Sequence, residues 1–169
     1  KYKSGKRQIL YTSFTADVHT PVSSLIKLEK ESYTFLFESV EKGSQKGRYS
    51  VIGLKPDLIW ECRDNNCKIT DKTLKKNYYV NDISPLNSLR NLIKSNKLKI
   101  PNQIPSISSG LFGYMGYEMI QYFEKVILSK KNNLALPDSI FIRPSITLVF
   151  DNVNDKLFIT RTVFPNGKD

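Results

Sequence analysis

The sequence predicts an α+β fold, an antiparallel sheet built from hairpins with helices packed on it. Three observations carry this expectation. β-prone runs follow one another across short turn signals, whereas parallel strands would need a helical crossover between each pair. Only two segments combine a capping residue, a proline at the first helical position and apolar residues at helical spacing. Of the 169 residues, 40% are hydrophobic and 25% charged, enough apolar material for a core without disulfide or metal staples.

Residues 8–15 mix Ile9, Leu10, Tyr11 and Phe14 with polar partners, a strand pattern. Thr20 can then cap the free amides of a helix, Pro21 fits its first position because no N–H is needed there, and Val22, Leu25 and Ile26 give an apolar face. That helix is expected to fade near residues 30–32. Residues 33–39 read as a strand, 41–47 as a Gly-containing loop and 48–54 as the returning strand. Residues 58–62 and 67–70 flank Arg63, Asp64, Asn65 and Asn66, where Asp and Asn tolerate the left-handed backbone of a hairpin turn. Ser84 and Pro85 repeat the cap-and-proline signal ahead of Leu86, Leu89, Leu92 and Ile93, a second helix ending near Asn96. A connector over 100–109 leads into a Gly-punctuated apolar run and a short helix over 117–126. Residues 130–133 read as an exposed loop, and 139–150 and 156–164 as strands joined by a hairpin over 151–155. No repeat and no boundary is visible, so residues 1–169 are expected to form one domain.

The net charge is +10, but its distribution decides what it means. Lys72, Lys75 and Lys76, then Lys94, Lys97 and Lys99, form scattered clusters poor in Arg, which favours a solvated surface over nucleic-acid binding. No apolar run approaches the roughly 20 residues that cross a bilayer, and the basic start is not followed by a signal-peptide core or cleavage site. No membrane and a cytoplasmic location are therefore expected. Cys62 and Cys67, with His19 the sole histidine, are too few for a zinc cage, and free thiols are favoured over a disulfide. The chain opens on Lys1 and stops in a turn-like stretch over 165–169, so a larger parent protein is expected.

Catalytic constellations do not assemble. His19 lacks a Ser, Cys or Asp signature beside it, and Gly110, Gly113 and Gly116 fit neither a dinucleotide nor a phosphate loop, which leaves close backbone packing. What stands out is a polar end on an apolar strand. Phe35, Leu36 and Phe37 are followed by Glu38, Ser39 and Val40, and a loop leads on to Gly47, Arg48, Tyr49 and Ser50. Either this strand simply enters solvent, or it lines a pocket for a small zwitterion, which needs an acceptor, a donor and an apolar slot.

Four blocks give the sequence a resemblance: ADVHTPVSSLIKLEK, FLFESVEKGSQKGRYSVIGLKPDLIW, SSGLFGYMGYEMIQYFE and LPDSIFIRPSITLVFDNVNDKLFIT. In this order, from Ala16 to Thr160, they are similar to the amino-terminal part of anthranilate synthase component I. The resemblance implies an enzyme of tryptophan synthesis that converts chorismate and an amino donor into anthranilate and pyruvate. Its ammonia is released from glutamine by a partner amidotransferase subunit, component II, and Mg2+ sits in its active site. The chorismate and magnesium residues of the family lie in a carboxy-terminal part absent from this chain, so no catalytic or metal residue is carried over and the piece alone is expected to be inactive. The amino-terminal part holds most of a feedback pocket for L-tryptophan, centred on a Leu-Leu-Glu-Ser motif. Here the motif is Leu36, Phe37, Glu38, Ser39, with Phe37 altering the pocket volume or pointing into the core. The resemblance makes Ser39 a partner for the ligand's polar head, Glu38 an acceptor for its ammonium and Leu36 part of the same site. Arg48 faces either the carboxylate or the loop. Gly113, Tyr114, Gly116 and Tyr117 match a packing block near the interface between halves. The rival readings are the paralogue aminodeoxychorismate synthase component I, an isochorismate-forming relative, and, outside the family, a basic nucleic-acid-binding module.

Overall fold

The computed structural model describes residues 7–28, 32–40, 46–126, 128 and 134–163. The expected loops over 41–45 and 130–133, the fading of the first helix and residues 164–169 lie outside these. The elements are β1 (Gln8–Thr15), α1 (Pro21–Leu28), β2 (Phe35–Val40), β3 (Lys46–Arg63), β4 (Asn66–Asp71), β5 (Lys76–Val80), α2 (Pro85–Ser95), β6 (Phe112–Met115), β7 (Ser139–Asp151) and β8 (Lys156–Val163), with 3₁₀ turns at Ser106–Ser108 and Tyr117–Tyr122. Hydrogen-bonded neighbours run β1-β8-β7-β3-β4-β5, with β2 on β3 and β6 on β7. The pairs β1–β8, β2–β3, β3–β4, β4–β5, β6–β7 and β7–β8 are antiparallel, giving the α+β hairpin architecture that the turn signals predict. Two compact units make up the chain: Lys1–Pro56, Leu98–Gly110 and Pro144–Asp169 form the first, Asp57–Lys97 and Leu111–Arg143 the second.

In the first unit Ile52, Leu54, Leu148, Phe150 and Leu157 form the core, and Leu25, Leu28 and Leu36 pack against it. Thr20 caps α1 as expected. Its Oγ1 accepts from Ser23 N at 3.1 Å while Ser23 Oγ accepts from Thr20 N at 3.1 Å, a reciprocal box with Ser in the place usually held by Glu or Gln. The inward stripe is Pro21, Ser24, Leu25 and Leu28, with Val22 and Ile26 49% and 61% exposed. The expected face is thus rotated by one residue, because the i, i+3, i+4, i+7 series starts on Pro21, the first helical residue. Strand β3 is one 18-residue strand where two were expected. Lys55, at φ 48°, absorbs the irregularity before Pro56 without ending the strand. The connector is anchored by hydroxyls: Thr160 Oγ1 donates to Ser108 O at 2.8 Å, and Ser109 and Thr162 share a bond of 3.1 Å.

Asp151 closes β7 and organises the turn to β8. Only 4% exposed, its carboxylate accepts from Arg48 Nε and Nη2 at 3.4 and 3.2 Å, from Val153 N and Asn154 N at 3.1 and 3.3 Å, and from Asn154 Nδ2 at 2.8 Å. Burial pushes this carboxyl up, but the bonds from Arg48, Asn154 and the two amides outweigh it and hold the group below the usual carboxylate range.

In the second unit Asp64 and Asn65 take left-handed backbone at φ 46° and 67°, as the hairpin signal predicts. The tip is tied down: Tyr122 OH accepts from Asn65 N at 2.7 Å and donates to Asp138 Oδ2 at 2.8 Å, which also accepts from Asp64 N at 2.9 Å. Cys62 and Cys67 face each other across β3 and β4 as buried free thiols. Their mutual hydrogen bond, then burial, pushes the Cys62 thiol up and keeps it protonated. They join Leu58, Trp60, Ile69, Leu89, Leu92 and Met119 in the core. The indole Nε1 of Trp60 donates to buried Ser88 Oγ of α2 at 3.0 Å, which satisfies an N–H that burial would otherwise make costly. Ser84 caps α2 through Asn87 N at 3.4 Å, while Ile93, expected on its apolar face, is 47% exposed. The short helix expected over 117–126 is a 3₁₀ turn that ends at Tyr122, starting from Gly116 with no capping side chain. Strand β5 was not expected, since its Lys76 and exposed Tyr78 and Tyr79 show no alternation. Arg143, itself buried, meets Asp57 at 2.6 Å and also donates to Asn96.

Two outcomes follow for stability. A Cβ at Gly113 would land on the Ile140 carbonyl, which is backbone, whereas one at Gly53 would meet the Phe35 ring, which can turn aside. Gly113→Ala should cost about 2 kcal/mol or more, and Gly53→Ala should cost less, as read from urea midpoints. Because the folded Asp151 carboxyl ionises below its unfolded range, its contribution is complete above about pH 4 and is lost as pH falls through the folded value. Asp151→Asn should therefore be less stable than the parent at pH 7, with the gap closing under acid in chemical denaturation at stepped pH.

Candidate functional site

The end of β2 breaks the ladder. Phe35, Leu36, Phe37 and Glu38 pair in register with Gly53, Ile52, Val51 and Ser50, but the next pair is Val40 with Lys46. Ser39 alone therefore stands against Gly47, Arg48 and Tyr49, a bulge on β3 of the kind that re-aims side chains and ends pairing. A Cβ at Gly47 would collide with Ser39 Oγ and Cβ, so the serine side chain occupies the space that glycine leaves. The sequence-predicted residues Glu38 and Ser39 are both exposed at this point.

Alternation along β2 sorts the remaining residues. Leu36 turns to the core of the first unit and is partly buried there, while Phe35 and Phe37 share the other face with ring centroids 4.8 Å apart. Phe37 is 45% exposed, so it does not point into the core. Its odd-numbered position sends it away from the face on which Leu36 packs. Arg48 forks onto Asp151 at the end of β7, and its guanidinium lies 4.9 Å from the Tyr49 ring centroid. Leu36, Glu38, Ser39 and Arg48 thus lie on the paired strands β2 and β3: Glu38, Ser39 and the ion-paired Arg48 are exposed, and Leu36 packs partly buried against the core.

Sequence reasoning missed the supports. Asn152 donates through its backbone N–H to Arg48 O at 2.8 Å, and through Nδ2 to Gly47 O at 2.8 Å and Ser50 Oγ at 3.4 Å. The run of Asp151, Asn152, Val153, Asn154 and Asp155 reads as turn chemistry, which it is, and no local signal tells that two of its side chains also reach across to β3. His19 is exposed. Among the described residues no three His, Cys, Asp or Glu side chains come together as a metal-binding set. No helix among them is long and apolar enough to cross a membrane.

Comparison with known proteins gives this geometry a context. No family profile matches the chain. Anthranilate synthase component 1 of Cereibacter sphaeroides is 40% identical over 161 residues, covering 94% of this chain and 32% of that protein. The same-named protein of Thermus thermophilus is 30% identical over 148 residues, 87% of this chain and 30% of its own length. Among solved structures, anthranilate synthase component I of Streptococcus pneumoniae superposes with a TM-score of 0.53 at 21% identity, over 85% of this chain and 30% of that one, a likeness of fold. The chain spans about a third of the length of these curated relatives. Over nearly its whole length the chain is therefore similar to the amino-terminal part of anthranilate synthase component I proteins.

Proposed function

We propose that this chain is the regulatory amino-terminal part of an anthranilate synthase component I, a cytoplasmic enzyme of tryptophan synthesis, and that the bulged end of β2 belongs to its L-tryptophan feedback pocket. The observation that carries the reading is the 40% identity along 94% of the chain. The shared name of the relatives supports the anthranilate branch over aminodeoxychorismate synthase. The complete enzyme would join chorismate and ammonia to give anthranilate, pyruvate and water. Ammonia would come from glutamine through component II, and magnesium and chorismate would bind in the remaining two-thirds of the protein.

The bulge supports the pocket reading because it presents a hydroxyl and a carboxylate, Ser39 and Glu38, beside an aromatic pair and just beyond Leu36. Ser39 would bond the amino acid's polar head and Glu38 its ammonium, a charge-assisted contact. Arg48 serves the site indirectly, since its Nε and Nη2 are engaged by Asp151. Inhibition needs no contact with chorismate. Tryptophan has only to bind better to the form that chorismate binds worse, and the two ligands then weaken each other by the same factor.

In the complete enzyme Ser39→Phe should fill the space beside Gly47 and raise the half-inhibiting tryptophan concentration by about tenfold or more, a coupling of about 1.4 kcal/mol, while the enzyme still turns over. Initial rates against tryptophan check this; equal sensitivity in parent and variant would remove the site from β2. Liquid chromatography of the product tests the branch, with aminodeoxychorismate as the contrary result.

A further inference from the structure

Two successive carbonyls of β3, those of Gly47 and Arg48, are both received by Asn152, one by its side-chain amide and one by its backbone N–H. In a regular strand successive carbonyls point to opposite edges. The bulge has therefore turned one of them out of the ladder, and a buried carbonyl so displaced needs a donor. The same Nδ2 also lies 3.4 Å from Ser50 Oγ, on a residue 2% exposed and paired directly with Glu38. One amide thus reaches both ends of the irregular stretch: Gly47, on which Ser39 packs, and Ser50, opposite Glu38. The preceding residue, Asp151, holds Arg48 in the middle of it.

From this arrangement we infer that Asn152 is a positioning residue for tryptophan inhibition, fixing from the β7–β8 turn the bulge on which Glu38 and Ser39 stand. It rests on the reading of that bulge as the tryptophan pocket. Asn152 need not touch the ligand. Its amide sets the separation and direction of two polar groups that must meet one small zwitterion together, and loosening it makes the free protein sample arrangements that bind less well.

The test uses the complete component I polypeptide with ammonia as amino donor. Half-inhibition by tryptophan, kcat and the chorismate KM are measured for the parent, Asn152→Ala, Asn152→Asp, Val153→Ala and Ser39→Phe, with hydrogen exchange followed at the amides of residues 36–40 and 47–50. Asn152→Ala should raise the half-inhibiting concentration roughly three- to tenfold, the worth of one positioning hydrogen bond, with a much smaller change in kcat, and should speed exchange at those amides. Asn152→Asp, which keeps the size and the backbone N–H but turns the donor into an acceptor, should act in the same direction and stands in if the alanine variant does not fold. Val153→Ala, in the same turn and 69% exposed, should match the parent. Parental inhibition in both Asn152 variants, alongside relief in Ser39→Phe, would overturn the positioning role and leave the pocket standing. A fall of kcat in step with tryptophan sensitivity, or unchanged exchange, would also overturn it. A parent enzyme indifferent to tryptophan would overturn both.

Discussion

Much of the first unit follows from a single mismatch in the β2–β3 ladder, where one residue must face three. Up to Glu38 the strands pair regularly and alternation assigns each side chain its face. Past it the extra length of β3 has to go somewhere, and it goes toward the β7–β8 turn, where Asp151 and Asn152 meet it. The irregularity is affordable because its polar groups have partners: a guanidinium against a buried carboxylate, two carbonyls against two N–H groups. Glycine at position 47 completes the fit by leaving room for the serine opposite.

The second unit shows the opposite strategy, a regular hairpin with its polar groups satisfied at the ends. Its two-residue turn is held from outside by Tyr122 and Asp138, and its apolar face is closed by Trp60, the two thiols and the inward face of α2. In the Arg143–Asp57 pair the guanidinium is buried and the carboxylate largely so. Such a pair is expensive to desolvate and expensive to break, so it fixes geometry more surely than it adds stability.

Local chemistry was legible and distant partnership was not. Thr20, Ser84 and the Asp64-Asn65 turn act on neighbours within a few residues, so each could be placed from the string of letters alone. The α+β class followed from the local turns between β3 and β4 and between β7 and β8, whereas the pairing of β1 with β8 joins strands from opposite ends of the chain and has no local signal. Strand β5 is not legible because an edge strand of one lysine, one asparagine and two adjacent exposed tyrosines carries no apolar period. The unity of β3 escaped because Pro56 is usually punctuation. At the candidate site, Glu38 and Ser39 announced themselves as polar residues closing an apolar run. The roles of Asp151 and Asn152 depend on partners about 100 residues away in sequence, and turn-forming Asp and Asn look the same whether or not they have a second task.

Trp60 is the only tryptophan in the sequence and is fully buried, its ring N–H engaged by Ser88. Its fluorescence is therefore a natural spectroscopic label within the second unit: melting of the Trp60 environment reports the core it shares with Leu58, Ile69, Leu89, Leu92 and Met119. A difference between the emission and circular dichroism unfolding curves would thus separate the cooperativity of the two units without any added dye.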